Sequence, residues 1–230
     1  MGYRWSVRER PEGSTSRFVP NDGSRDATLF LDLAGRYALD LDVTSGTGER
    51  NSEPCRVVIE ACCRTDWIHV QLVWDTPADP DQTDTGPGAG ADLDLHLLRG
   101  PGRWGCPPDD VWGAHPEADW GIPDDASDDP HLDFDDVDGA GPEDVNLHWP
   151  EDGTTYHVGV HYVDDHGFGT SFATVRVFLR GVLSYEAASR RLDRAGQLWE
   201  VASISRPDDE ITPVDRIANV ELPESECPGP

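Results

Sequence analysis

Apolar and polar residues alternate with period two along most of the chain, and this pattern narrows the fold more than any other feature. In an extended strand successive side chains point to opposite faces, so alternation marks a half-buried strand. Tyr3, Trp5 and Val7 alternate with polar residues, as do Tyr37, Leu39, Leu41 and Val43. Residues 55–61 and 67–74 follow, the second with Ile68, Val70, Leu72 and Trp74 on one side. In 91–98, Leu93, Leu95 and Leu97 point inward while Asp92, Asp94 and His96 point outward. Tyr156, Val158, Val160 and Tyr162 share a face, 172–186 is the longest strand signal, and 198–204 is another. One short helix is expected at 186–196, closed by Gly196. With 23 Gly and 19 Pro to turn the chain, the expected class is all-β, an antiparallel β-sandwich. Residues 101–130 have no period and carry Trp104, Trp112 and Trp120, so they read as one long Trp/Asp-rich loop with local order.

Charge excludes whole classes of partner. Eighteen arginines and no lysine stand against 45 carboxylates, a formal net charge of -27. A nucleic-acid ligand needs a basic footprint that this chain lacks. No apolar run approaches the roughly 18 residues of a membrane span, so membrane insertion is not expected. The acid is concentrated: Asp75 to Asp144 holds twenty carboxylates against Arg99 and Arg103. Such a block repels itself unless water solvates it or cations bind it.

Two ordered sets of residues resemble known modules. Tyr3-x-Trp5-x-Val7, Pro11-Glu12-Gly13-Ser14 and Leu33-Ala34-Gly35-Arg36-Tyr37-x-Leu39-x-Leu41-x-Val43 resemble the second half of a PKD-type immunoglobulin-like repeat. Residues 1–62 are therefore expected to be a partial repeat, with Met1 an internal start or the chain a fragment. Asp92-Leu-Asp94-Leu-His96, Leu132-Asp133, Asp138-Gly-Ala-Gly141-Pro142-Glu143, Tyr156-x-Val158, Tyr162 and Thr174-Val-Arg-Val177 look like the C-terminal domain of bacterial YfaP-like proteins. That resemblance covers about 66–205 and implies a β-sandwich of exported or surface proteins, extracellular or periplasmic, with no established activity. The boundary falls at 62–66, and 206–230 is expected to be a flexible tail.

The candidate chemistry lies in two acidic segments. Asp92, Asp94 and His96 share one strand face, with about 7 Å between alternate residues. Asp133, Asp135, Asp138 and Glu143 follow in a Gly-containing loop. Alternating carboxylates suit Ca²⁺, which takes six to eight oxygens in flexible geometry. The spacing is not that of an EF-hand, because Val137 and Asp138 stand where that loop needs an acid and a glycine. The expected metal ligands are Asp92, Asp94, Asp133, Asp135, Asp138 and Glu143; the bland alternative is a solvated acidic face. Zinc is a weaker reading. His157 and His161 flank Gly159 on one strand, with His96 and His69 as further imidazoles, but no HExxH or CxxC occurs. No catalytic residue is assigned, since no nucleophile elbow or cysteine signature is present. Among the five cysteines, Cys106 is placed to staple the Trp-rich loop, and Cys55 to close a short loop with Cys62 or Cys63. The functional expectation is a non-enzymatic binding or adhesion module stabilised by Ca²⁺, with a protein or glycan partner at the Trp104–Trp120 loop. A metal-dependent hydrolase and an inert spacer are the alternatives.

Overall fold

The computed structural model describes residues 1–230 apart from 15, 20, 26, 30, 32, 34, 62–65, 83–87, 138, 224–226 and 228–230. Among the described residues there is no helix, and none is long and apolar enough to cross a membrane. The chain forms two compact units, Met1–Arg64 with Thr83–Thr85, and Thr65–Gln82 with Gly86–Pro230.

In the first unit, β1 (Gly2–Glu9), β2 (Phe18–Val19), β3 (Thr28–Leu29), β4 (Gly35–Thr44) and β5 (Cys55–Ala61) make two antiparallel sheets, β1-β4-β5 and β2-β3. The central strand β4 buries Tyr37, Ala38 and Leu39. Its Asp40 receives two hydrogen bonds from Arg56, at 2.7 and 3.0 Å. The edge strand β5 leaves Val57 and Val58 exposed.

The second unit is a sandwich of two five-stranded antiparallel sheets. Its strands are β6 (Ile68–Asp75), β7 (Asp92–Arg99), β8 (Asp110–Val111), β9 (Pro130–Phe134), β10 (Glu143–Leu147), β11 (Thr155–Asp164), β12 (Ser171–Leu179), β13 (Val182–Leu192), β14 (Gln197–Ser205) and β15 (Glu210–Asn219). One sheet runs β13-β12-β6-β10-β9 and the other β15-β14-β11-β7-β8. The inward faces follow the alternation in the sequence. Ile68, Val70, Leu72, Val145, Leu147, Val175 and Val177 of one sheet meet Leu93, Leu95, Leu97, Tyr156, Val158 and Val160 of the other in one continuous buried core. Antiparallel sheets pack this way because each has one apolar face to remove from water.

Three expectations are corrected. Residues 186–196 do not form a helix, although Ala, Arg and Leu favour one. Residues 186–192 continue β13, because the open edge of β12 offers a full ladder and Tyr185 and Ala187 pack against the core, and 193–196 turn the chain into β14. The single long strand expected at 172–186 is two strands joined by a tight turn at Arg180 and Gly181, both at positive φ. The tail expected to be flexible contributes β15, paired with β14 from Glu210 to Asn219. Pro213 argues against a central strand and is accommodated at this sheet edge. Beyond β15, Cys227 is disulfide-bonded to Cys106, with 5.5 Å between their Cα atoms. Cys55 is exposed, and its suggested partners Cys62 and Cys63 lie outside the described residues.

Candidate metal centre

Glu143 begins β10 on its core-facing side, since it lies opposite Leu72 as Val145 lies opposite Val70. A carboxylate there is fully buried. Its Oε2 accepts the Leu95 N–H at 2.7 Å and its Oε1 the Asp136 N–H at 3.3 Å. The first bond caps an open stretch of β7, because β8 pairs with β7 only at Leu97 and Leu98. The carboxylates of Asp94, half-buried on β7, and Asp135, exposed after β9, converge on the same place. One oxygen each from Asp94, Asp135 and Glu143 lies within 4.8 Å of the others.

A β-bulge decides which acids meet. Val145 pairs with Leu132, but Asp144 pairs with Phe134, so Asp133 is the extra residue on β9. A bulge flips the alternation beyond it. Phe134 therefore faces solvent and Asp135 turns to the side of Glu143, whereas an unbroken strand would have kept Asp133 and Asp135 on one face. Asp133 instead pairs with His131 at 3.0 Å and accepts a hydrogen bond from Asn146 at 2.7 Å. Asp138 lies outside the described residues. Gly113 lies beside this carboxylate: a Cβ at that position would stand 2.7 Å from Asp135 Oδ1, so the Asp135 side chain would have to shift.

The electrostatics are those of crowded like charges. Burial, then Asp94 and Asp135, pushes the Asp92 carboxyl up to about 8. Burial raises Asp94 to about 6 although His96 pulls the other way. Burial and Asp94 hold Glu143 well above the usual carboxylate range. The Asp92 Oδ1 atom is buried with no hydrogen-bond partner among the described residues. The metal-free arrangement thus favours protonated acids, and a bound cation would favour their ionised form.

The outer face of β7 is not a solvent face. His96, expected to point outward, is fully buried because the 101–129 loop folds over it. Trp112 stacks on the His96 ring with centroids 5.4 Å apart, and Trp104 meets it edge-on at 5.9 Å. A Cβ at Gly159, directly opposite His96 on β11, would stand 2.9 Å from the Trp104 indole. The His96 Nδ1 atom is 2.8 Å from Asp110 Oδ2, and that carboxylate also accepts the Gly105 N–H at 2.6 Å. Burial opposes a charged His96, but Asp110 outweighs it and raises the imidazole. His161, opposite Asp94 on β11, is lowered to about 4 by burial and then by His96.

Trp112 and Trp120 are buried, so these loop rings are not surface contacts. Trp120 stacks on Tyr156 at 5.7 Å and donates its indole N–H to the Pro108 carbonyl at 2.6 Å. Asp110 was not among the sequence-based candidates. Its signal was weak, because nothing in the local spacing ties it to His96 fourteen residues earlier. Comparison of the chain with protein-family models, curated proteins and solved structures returns no match.

Proposed function

We propose that the protein is a non-enzymatic β-sandwich binding module of an exported or cell-surface protein, ordered by a divalent cation, Ca²⁺, at Asp94, Asp135 and Glu143. The observation that carries this reading is the convergence of three carboxylates from separate segments within 4.8 Å, one of them fully buried. Like charges so placed are costly without a counter-ion, and an all-oxygen set suits Ca²⁺. Asp92 lies close enough to this set to feel Asp94 and Asp135 and would add a further oxygen. The disulfide that ties the Trp-rich loop to the C-terminal segment fits an oxidising compartment. The YfaP-like and PKD-type resemblance points the same way. A protein or glycan partner would use the outside of this stapled loop, where Ile122 is exposed. A hydrolase would need its base exposed to substrate, whereas His96 and Asp110 are both buried beneath Trp112.

Thermal melting tests the cation. A ligand that binds only the folded state at a hundredfold excess over Kd adds about 2.7 kcal/mol. Ca²⁺ should raise Tm and EDTA lower it, with Mg²⁺ less effective because it holds its water more tightly. Asp94→Asn with Glu143→Gln should remove the difference. Identical melting in Ca²⁺ and EDTA would end this reading and leave the acids as a structural feature.

A further inference from the structure

An open sheet edge presents a row of unpaired amides and carbonyls, and most edges of this fold are blunted against pairing. Among the described residues, β1, β9 and β13 are broken in register, β15 carries Pro213, and β8 is two residues long. The strand β5 differs. It pairs with β4 from Cys55 to Ala61 without a break, and its other edge meets no described strand. Apolar side chains are open to water on both of its faces: Val57 is 45% exposed on one and Val58 44% on the other. Such an edge accepts a further strand, and its own sequence indicates which one.

Residues 55–61 read Cys-Arg-Val-Val-Ile-Glu-Ala. Laid antiparallel against a second copy of itself about Val58, this strand sets Val58 opposite Val58, Val57 opposite Ile59, and Arg56 opposite Glu60 twice. A two-fold axis moved to Val57 or Ile59 loses both charge pairs. The charges also continue rows already formed with β4. Arg56 hydrogen-bonds to the buried Asp40 at 2.7 and 3.0 Å, and Glu60 lies 3.6 Å from Arg36. Across the axis each row becomes Asp40, Arg56, then Glu60 and Arg36 of the second copy, alternating in sign. Opposite charges facing each other across a strand pair attract, and like charges repel. The first unit can bear such an approach: residues 1–64 hold nine arginines against ten carboxylates, so nearly all of the net charge of -27 lies outside them.

We propose that β5 is a self-association edge: two copies of the chain join antiparallel through residues 55–61 about a two-fold axis at Val58, making one sheet of their two β1-β4-β5 sheets. Main-chain hydrogen bonds hold the new ladder, Val57, Val58 and Ile59 leave water, and the paired Arg56 and Glu60 fix the register. An edge of this length is a small contact, so the dimer is weak and reversible. It uses none of Asp94, Asp135 and Glu143, so it stands or falls apart from the cation.

Sedimentation equilibrium of the full chain tests this from micromolar to near-millimolar concentration, with Cys55→Ser, Cys62→Ser and Cys63→Ser to prevent chance disulfides. A reversible monomer–dimer equilibrium is expected. Val58→Lys, which sets two ammonium groups opposite each other on the axis, should weaken it at least about tenfold. Glu60→Arg, which turns both charge pairs into Arg opposite Arg, should weaken it about tenfold. Should either variant fold poorly, oxidative cross-linking in the same background decides. Val58→Cys must link two chains, because a residue on the axis meets its own copy within disulfide reach. Val182→Cys, at the exposed start of β13, must not. A monomer at every concentration overturns the proposal. So does a dimer that Val58→Lys leaves intact, or one that Val182→Cys links in place of Val58→Cys.

Discussion

Two acidic regions of the second unit look alike in the sequence and behave oppositely in the fold. In the 119–129 segment Asp125, Asp128 and Asp129 serve the backbone. Asp125 Oδ1 accepts the Ser127 N–H at 3.0 Å and its hydroxyl at 2.7 Å. Asp128 Oδ2 accepts the Ile122 N–H at 2.8 Å, and Asp129 Oδ1 the Trp120 N–H at 2.7 Å. A loop without a ladder must find acceptors for its amides, and short acidic side chains supply them locally. In the cluster of Asp92, Asp94, Asp135 and Glu143, by contrast, carboxylates face one another. The ionisation behaviour separates Asp125 from the cluster. The Ser127 hydroxyl and N–H lower Asp125, although burial nudges Asp129 up against its bond from Trp120. Burial and neighbouring acids raise Asp92, Asp94 and Glu143. An acidic run is thus a folding device where its oxygens meet amides and a candidate ligand set where they meet one another.

Substitutions should divide along that line. The largest effect is expected at the loop's anchor. Trp120→Ala removes a fully buried ring and should cost about 3–5 kcal/mol in urea denaturation, while the increment gained from Ca²⁺ stays the same. Loss of that increment together with the stability would mean that loop and cluster act as one unit.

The pH dependence should show the cluster's opposite sign. Asp92 at about 8 and Asp94 at about 6 bind protons more tightly folded than unfolded. Their contribution is therefore fully present below the unfolded carboxylate value near 4 and is lost as pH rises through 6 and 8. Metal-free protein should melt lower at pH 8 than at pH 5, and saturating Ca²⁺ should flatten the slope. Asp92→Asn should raise the metal-free Tm at pH 8 and reduce the slope; an unchanged slope would assign it to general repulsion in a chain of net charge -27.

The smallest effect separates a capping acid from a ligand. Asp128→Ala leaves the Ile122 N–H without its acceptor and should lower stability by about 1 kcal/mol, with no change in the response to Ca²⁺. A stabilised Asp128→Ala protein would place this residue with the crowded acids instead.

The sequence by itself determined the fold class and the inward faces. Leu93, Leu95, Leu97, Val158, Val160, Val175 and Val177 are buried as their alternation requires, because a strand has only two sides and one must leave water. It also marked the acidic segments that supply Asp94, Asp135 and Glu143. Tertiary structure decided the rest, at places where local pattern and long-range pairing disagree. Residues 186–192 favour a helix alone but complete a ladder beside β12, and 210–219 become ordered only by pairing with β14. The bulge at Asp133 puts Asp135 rather than Phe134 on the side of Glu143, since a single extra residue reverses every face beyond it. His96 is polar by alternation and buried in fact, because a loop folded over the outer face of β7 supplies Asp110 and two tryptophans that no local spacing links to it.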